Sequence, residues 1–207
     1  MNQRIRVSRG GGRCRGRQPY RQGDLDGLCG VYSIVNAVRA LCPELDQEGA
    51  EWLFAHLLQS LCDADVDLSI AVTGGIGRVE LARLVRAAIA YIDEELEIKL
   101  TVKRLPKALR LTSNLGELWQ AFEASLSPKC VAIIGIAGIH SHWTIAARVT
   151  AKQVRLYDSG RITVLRQGLC TVVNATLKLT RGCRYRQLRT DPPARCAIAP
   201  ARGSYGA

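Results

Sequence analysis

Gln22-Gly-Asp-Leu-Asp-Gly-Leu-Cys29-Gly30-Val-Tyr-Ser-Ile-Val-Asn-Ala-Val38 is the stretch on which the reading of this chain turns. From Leu28 onward Val31, Tyr32, Ile34, Val35, Ala37, Val38 and Leu41 are apolar on nearly every face. That pattern predicts a buried helix over 28–41, ended by Pro43. Its first turn carries Cys29, delivered by a loop that contains Gly23 and Gly27. Unpaired backbone N–H groups and the positive end of the helix dipole favour a thiolate over a thiol at such a place. Cys29 is therefore a candidate nucleophile, and the two glycines allow the close backbone approach a substrate needs. The plainer reading of Cys29 is a small buried residue at a helix start. Gln22 is a candidate oxyanion donor, its amide N–H standing beside the backbone N–H of Cys29. Its plainer reading is a turn residue with a local hydrogen bond.

Upstream of this stretch the chain is basic. Residues 1–22 hold seven arginines and no acid, and residues 181–207 hold six arginines against Asp191. The net charge of +11 therefore sits at the two ends, because residues 23–180 carry 16 bases and 17 acids. Such ends stay solvated or touch phosphate and acidic partners non-specifically, so sequence-specific nucleic-acid recognition is not the main expectation. At 207 residues the chain suits one well-buried domain. Residues 1–19 read as a disordered basic arm, 20–190 as the domain and 191–207 as a flexible tail. No apolar run is long enough for a membrane span, and the arginine-rich start has no signal-peptide core. The default compartment is the cytoplasm, with secretion as an effector left open.

Downstream of Pro43 the periodicity is helical at first. Asp46 is a plausible N-cap for a second helix with Trp52, Leu53, Leu57, Leu58 and Leu61 on its stripe. Residues 62–77 read as a loop or short strand containing Thr73-Gly74-Gly75, either a plain turn or a substrate-pairing segment. Asp63, Asp65 and Asp67 imitate the start of a calcium loop, but Leu68 and Gly74 stand where a glycine and a glutamate are needed. A helix runs from Arg78 to about Ile92, and the alternation of Ile98, Leu100 and Val102 predicts a strand. Another helix is capped by Ser113 and runs to about Leu126. Beyond Pro128 the β-branched residues give candidate strands at 130–136, 142–149, 153–158, 161–165, 171–179 and 185–188. Helices first and an antiparallel sheet second make an α+β protein with a cleft between its halves.

The eight cysteines form no C-x-x-C pair and have no histidine at zinc-ligand spacing, so no metal and no cofactor is expected. Cys42, Cys62 and Cys130 lie in apolar runs and read as small core residues. There are three histidines, His56, His140 and His142. His56 lies among the leucines and alanines of the second helix and reads as structural. His142 opens the strand His-Trp-Thr-Ile-Ala-Ala and is preferred as base over His140 in the preceding loop, with Trp143 able to shield it. Asp158 ends the strand that follows a turn near Ala151-Lys152, which brings it to the same sheet end as His142. There it would orient the imidazole and stabilise the imidazolium, unless Asp158-Ser159-Gly160 is only a turn.

Gln22, then Cys29-Gly30, then His142-Trp143, then Asp158 resembles the papain-like cysteine peptidase superfamily in the order of its parts. The short interval from His-Trp to Asp is most similar to the bacteriocin-leader (double-glycine) peptidases of bacteria and their soluble relatives. His-Trp-Thr-Ile with Leu-Tyr-Asp-Ser also resembles the ubiquitin-like-protein proteases, although their cysteine follows their histidine. The resemblance spans residues 20–160. It departs from papain in a Gln–Cys interval one residue longer and in Val-Tyr after Cys-Gly, which leaves the subfamily and substrate open. It implies a papain-like fold, a helical half packed on an antiparallel sheet with the active site in the cleft. It also implies a thiol protease acting on a protein or peptide through a Cys29–His142–Asp158 triad with Gln22 as oxyanion donor. The alternatives are an effector that deamidates or transamidates glutamine with the same parts, and an inactive adaptor holding an acidic partner with its arms.

Overall fold

The apolar run after Leu28 forms α1, Cys29–Leu41, with Cys29 as its first residue and Val31, Ile34, Val35 and Val38 buried. The helix stops where Cys42 donates its N–H to the Val38 carbonyl and Pro43 follows. It belongs to a computed structural model that describes residues 18–103, 114–136, 142–173, 176–179 and 195–197. Backbone contacts divide the chain into two compact units, Met1–Lys103 and Arg104–Ala207. The first is helical and the second carries an antiparallel sheet, so the protein is of mixed α+β class.

In the first unit α2, Gln47–Cys62, starts at Asp46, whose carboxylate accepts from the Gly49 N–H at 2.8 Å. Its buried stripe is Ala50, Leu53, Leu57 and Leu61. Trp52 falls off that stripe and is 48 % exposed, contrary to the expectation from the sequence. The third helix, α3, Leu68–Gly74, stands where a loop or short strand was expected. Seven residues are too few to show a helical period; the helix starts at Asp67, whose carboxylate accepts from the Ser69 N–H. Bonds from the Ser69 hydroxyl and N–H hold the Asp67 carboxyl below its ordinary value. A fourth helix, α4, Arg78–Leu96, buries Leu81, Leu84, Ala88 and Ile92 and runs a turn past Ile92 through Asp93, Glu94 and Glu95 to Leu96. Ile98–Val102 is not a strand: the alternation is there, but no strand pairs with it among the described residues. Within the unit α1, α2 and α4 pack pairwise. Asp46→Ala is expected to destabilise the helical unit by about 1 kcal/mol through loss of its cap. Urea denaturation followed by circular dichroism checks this, and an unchanged midpoint would contradict it.

In the second unit α5, Leu115–Ser125, is capped by Asn114, which accepts from the Gly116 and Glu117 N–H groups. The expected cap, Ser113, lies outside the described residues. The strands are β1 (Ala132–Ile136), β2 (His142–Thr150), β3 (Gln153–Leu156), β4 (Val164–Arg166), β5 (Cys170–Val173), β6 (Thr176–Leu179) and β7 (Arg195–Ala197). Their order in the sheet is β4-β3-β2-β1-β7-β6-β5, every neighbouring pair antiparallel. The single strand expected over 171–179 is two, because Val173 pairs with Thr176 and the chain reverses between them. Three residues of the stretch read as a flexible tail form β7, while the strand expected at 185–188 lies outside the described residues. Leu118, Trp119 and Phe122 of α5 bury Ile134, Ile136, Ala146, Val154 and Leu165 of the sheet. The Trp119 Nε1–H donates to the Thr150 carbonyl at 2.8 Å, which ties α5 to the β2–β3 turn. Of the cysteines read as core, Cys42 is buried, whereas Cys62 and Cys130 are exposed. Among the described residues no helix is long and apolar enough to cross a membrane.

Candidate active site

The loop before α1 is fixed by its own polar groups. Asp26 accepts from the Gly23 N–H through Oδ2 and from the Leu28 N–H through Oδ1, each at 3.0 Å. The Gln22 Nε2 donates to the Asp26 carbonyl, closing the same turn from the other side. Farther along, the Gly27 N–H donates to the Val72 carbonyl of α3. Gly27 also lies so close to Gly75 that a Cβ would sit 2.7 Å from the Gly75 nitrogen and 3.0 Å from the Val72 oxygen. Gly75 closes α3 with φ +80, a conformation that suits glycine. Thr73-Gly74-Gly75 is thus the end of a helix whose backbone buttresses the Cys29 loop.

Cys29 leaves this loop as the first residue of α1 and is 6 % exposed. Leu28 occupies the N-cap and brings no side-chain oxygen to the first turn. Tyr32, three residues on, packs on Phe54 of α2 with ring centroids 5.1 Å apart. Burial and, second, the Asp26 charge raise the Tyr32 phenol above its ordinary value of 10.0. Tyr91 is raised in the same way, by burial and then by Glu95, and it stacks on His56 at 4.7 Å. The folded state therefore holds both phenolic protons more tightly than the unfolded chain does. That stabilisation is complete below about pH 10 and is lost as pH climbs through the raised values. A phenolate absorbance titration should show a late-ionising fraction that shrinks in Tyr32→Phe. A single transition at the ordinary value would contradict it.

The second unit holds the base and its partner. His142 is the first residue of β2, and Asp158 follows β3 by two positions after the Ala151–Lys152 turn. The turn returns the chain so that His142 Nε2 lies 2.7 Å from Asp158 Oδ1. The other carboxylate oxygen, Oδ2, accepts from the Ile162 N–H at 2.9 Å. The Asp158 side chain is 1 % exposed and that of His142 15 %, so the pair is screened from water on one side. An Nε2–H donated to the carboxylate fixes the ring and puts the basic lone pair of the neutral imidazole at Nδ1. Gly160 lies against the pair: a Cβ there would stand 3.3 Å from His142 Cε1 and Nε2 and 3.2 Å from Asp158 Oδ2. Trp143 follows His142 on the same strand and is half-buried. His140, the less favoured alternative base, lies outside the described residues.

Of the four residues singled out, His142 and Asp158 meet directly, while Gln22 and Cys29 share one braced loop in the other unit. Gln22 makes the local bond of its plainer reading, yet an amide has two N–H groups and one bond leaves the second for an oxyanion. Asp26, Gly160 and the Ile162 N–H were not singled out from the sequence. Only Asp26 left a signal, as an aspartate between turn glycines that can bond its own backbone two residues on. Among the described residues no group of histidines, cysteines and acids could hold a metal ion. Compared with protein-family models, with curated proteins and with solved structures, the chain matches none, and the chemistry of these residues alone carries the functional reading.

Proposed function

We propose that this protein is a thiol-dependent hydrolase of papain-like arrangement that cleaves a peptide or isopeptide bond in a protein or peptide substrate. The observation that carries the reading is the His142–Asp158 pair, 2.7 Å apart, with the aspartate buried and braced by the Ile162 N–H. A turn-forming aspartate accounts for the local bond from the Ile162 N–H, but not for a histidine held on the other oxygen. The position of Cys29 at the head of α1, behind a loop locked by Asp26, supports it as the nucleophile.

In this mechanism the Cys29 thiol passes its proton to His142 Nδ1 and the sulfur attacks the carbonyl carbon. The oxyanion accepts from the Cys29 N–H and from the second N–H of Gln22. His142 delivers its proton to the leaving amine, and a water deprotonated by the same imidazole then releases the acid and the free thiol. Asp158 accepts from the His142 Nε2–H and holds the ring. The scheme requires the Cys29 sulfur to come within hydrogen-bond reach of His142 Nδ1 during turnover.

Mass spectrometry of a cell lysate incubated with the wild type or with Cys29→Ala tests the reading. New peptide N-termini generated only by the wild type are the expected result. Deamidated or cross-linked glutamines instead would identify the acyl-transfer alternative, and no Cys29-dependent change at all would sink both.

A further inference from the structure

We propose that Asn36 is a positioning residue that sets the oxyanion donor Gln22 by holding the backbone of Tyr20; the proposal rests on the cysteine-hydrolase reading. Asn36 lies on α1 seven residues after Cys29, roughly two helical turns along the same side. It is fully buried, and its amide grips Tyr20 twice. Oδ1 accepts from the Tyr20 N–H at 2.8 Å, and Nδ2 donates to the Tyr20 carbonyl at 3.0 Å. A carboxamide carries donor and acceptor side by side, so it pairs with one residue's backbone as a neighbouring strand would. Buried polar groups lose heavily when left unpaired, so neither half of this grip is easily released. One turn farther along α1, the Arg39 guanidinium lies over the Tyr20 ring, 4.2 Å from its centroid.

The consequence falls on Gln22. Two residues of chain reach at most about 7 Å, so pinning Tyr20 to α1 confines Gln22 from the N-terminal side. From the C-terminal side it is confined by its own bond to the Asp26 carbonyl. One helix therefore presents Cys29 at its start and anchors, through Asn36, the segment that presents Gln22. The alignment of the two oxyanion donors becomes a property of α1 itself.

Two reactions of the full-length chain separate this role from a merely structural one. Iodoacetamide alkylates sulfur by displacement at carbon and forms no oxyanion, so it reports the nucleophile and its base. With p-nitrophenyl acetate the Cys29 sulfur bonds to the acetyl carbon, p-nitrophenolate leaves, and a tetrahedral oxyanion forms on the way. In Asn36→Ala acylation is expected to fall about 100-fold, as in Gln22→Ala, while Cys29 alkylation stays within about two-fold of wild type. The Gln22→Ala/Asn36→Ala double variant should be no slower than Gln22→Ala alone, because the second change acts through the first residue. Asn36→Asp keeps the side chain's size but replaces the donor to the Tyr20 carbonyl with a repelling oxygen, and the same signature is expected if the alanine variant misfolds. Acylation and alkylation falling together in both variants, full additivity in the double variant, or wild-type acylation in both would overturn the role of Asn36. A wild type that neither acylates nor alkylates selectively at Cys29 would instead overturn the hydrolase reading, and this proposal with it.

Discussion

Asp158→Asn is expected to lower acylation of Cys29 by on the order of 10³ to 10⁴-fold, although the side chain keeps its shape and volume. The reason lies in the two groups that face the carboxylate. Ile162 presents an N–H to Oδ2 and His142 presents Nε2 to Oδ1. An asparagine that turns its oxygen to Ile162 offers its NH₂ to His142. Nε2 must then accept, the ring proton moves to Nδ1, and the base is lost. The opposite flip sets NH₂ against the Ile162 N–H in a site with 1 % exposure, which costs about 1–3 kcal/mol as an unsatisfied buried donor. Stopped-flow acylation with p-nitrophenyl acetate checks this, and a loss under about ten-fold would mean that Asp158 does not set the tautomer.

Gly27→Ala is expected to damage both stability and acylation. The new methyl would stand 2.7 Å from the Gly75 nitrogen and 3.0 Å from the Val72 oxygen, and both are backbone atoms that no rotamer change can move aside. Relief has to come from the loop, which must back away from α3 and stretch the Gly27 N–H bond to Val72. Overpacking of this kind costs about 1–3 kcal/mol. A displacement of about 1 Å at a reacting group lowers the rate about 100-fold. Urea denaturation and acylation kinetics on the same preparation should show both losses. A variant with wild-type acylation would mean that the braced loop is irrelevant to the chemistry.

Where the chain wrote its structure in local terms, it was legible. The apolar run after Leu28, the Asp46 cap and the β-branched second half led to α1, α2 and the strands β1 to β4. The meeting of His142 with Asp158 was also readable, because a tight turn and two strand ends fix that geometry without long-range information. What failed depended on partners. Ile98, Leu100 and Val102 alternate as a strand does, but a strand exists only where another chain segment accepts its hydrogen bonds. Leu68–Gly74 is a helix too short to repeat its period. The supports of the Cys29 loop, Val72 and Gly75, lie far enough away in sequence that no spacing rule points to them.

The rate of iodoacetamide alkylation at each of the eight cysteines, read by peptide mass spectrometry at about pH 6, tests the central claim most directly. Ordinary thiols are protonated there and react slowly. Cys29, although 6 % exposed, is expected to react fastest of all, ahead of the exposed Cys62 and Cys130, and His142→Ala is expected to remove the advantage. Cys29 reacting no faster than the exposed cysteines, or keeping its lead in His142→Ala, would contradict it.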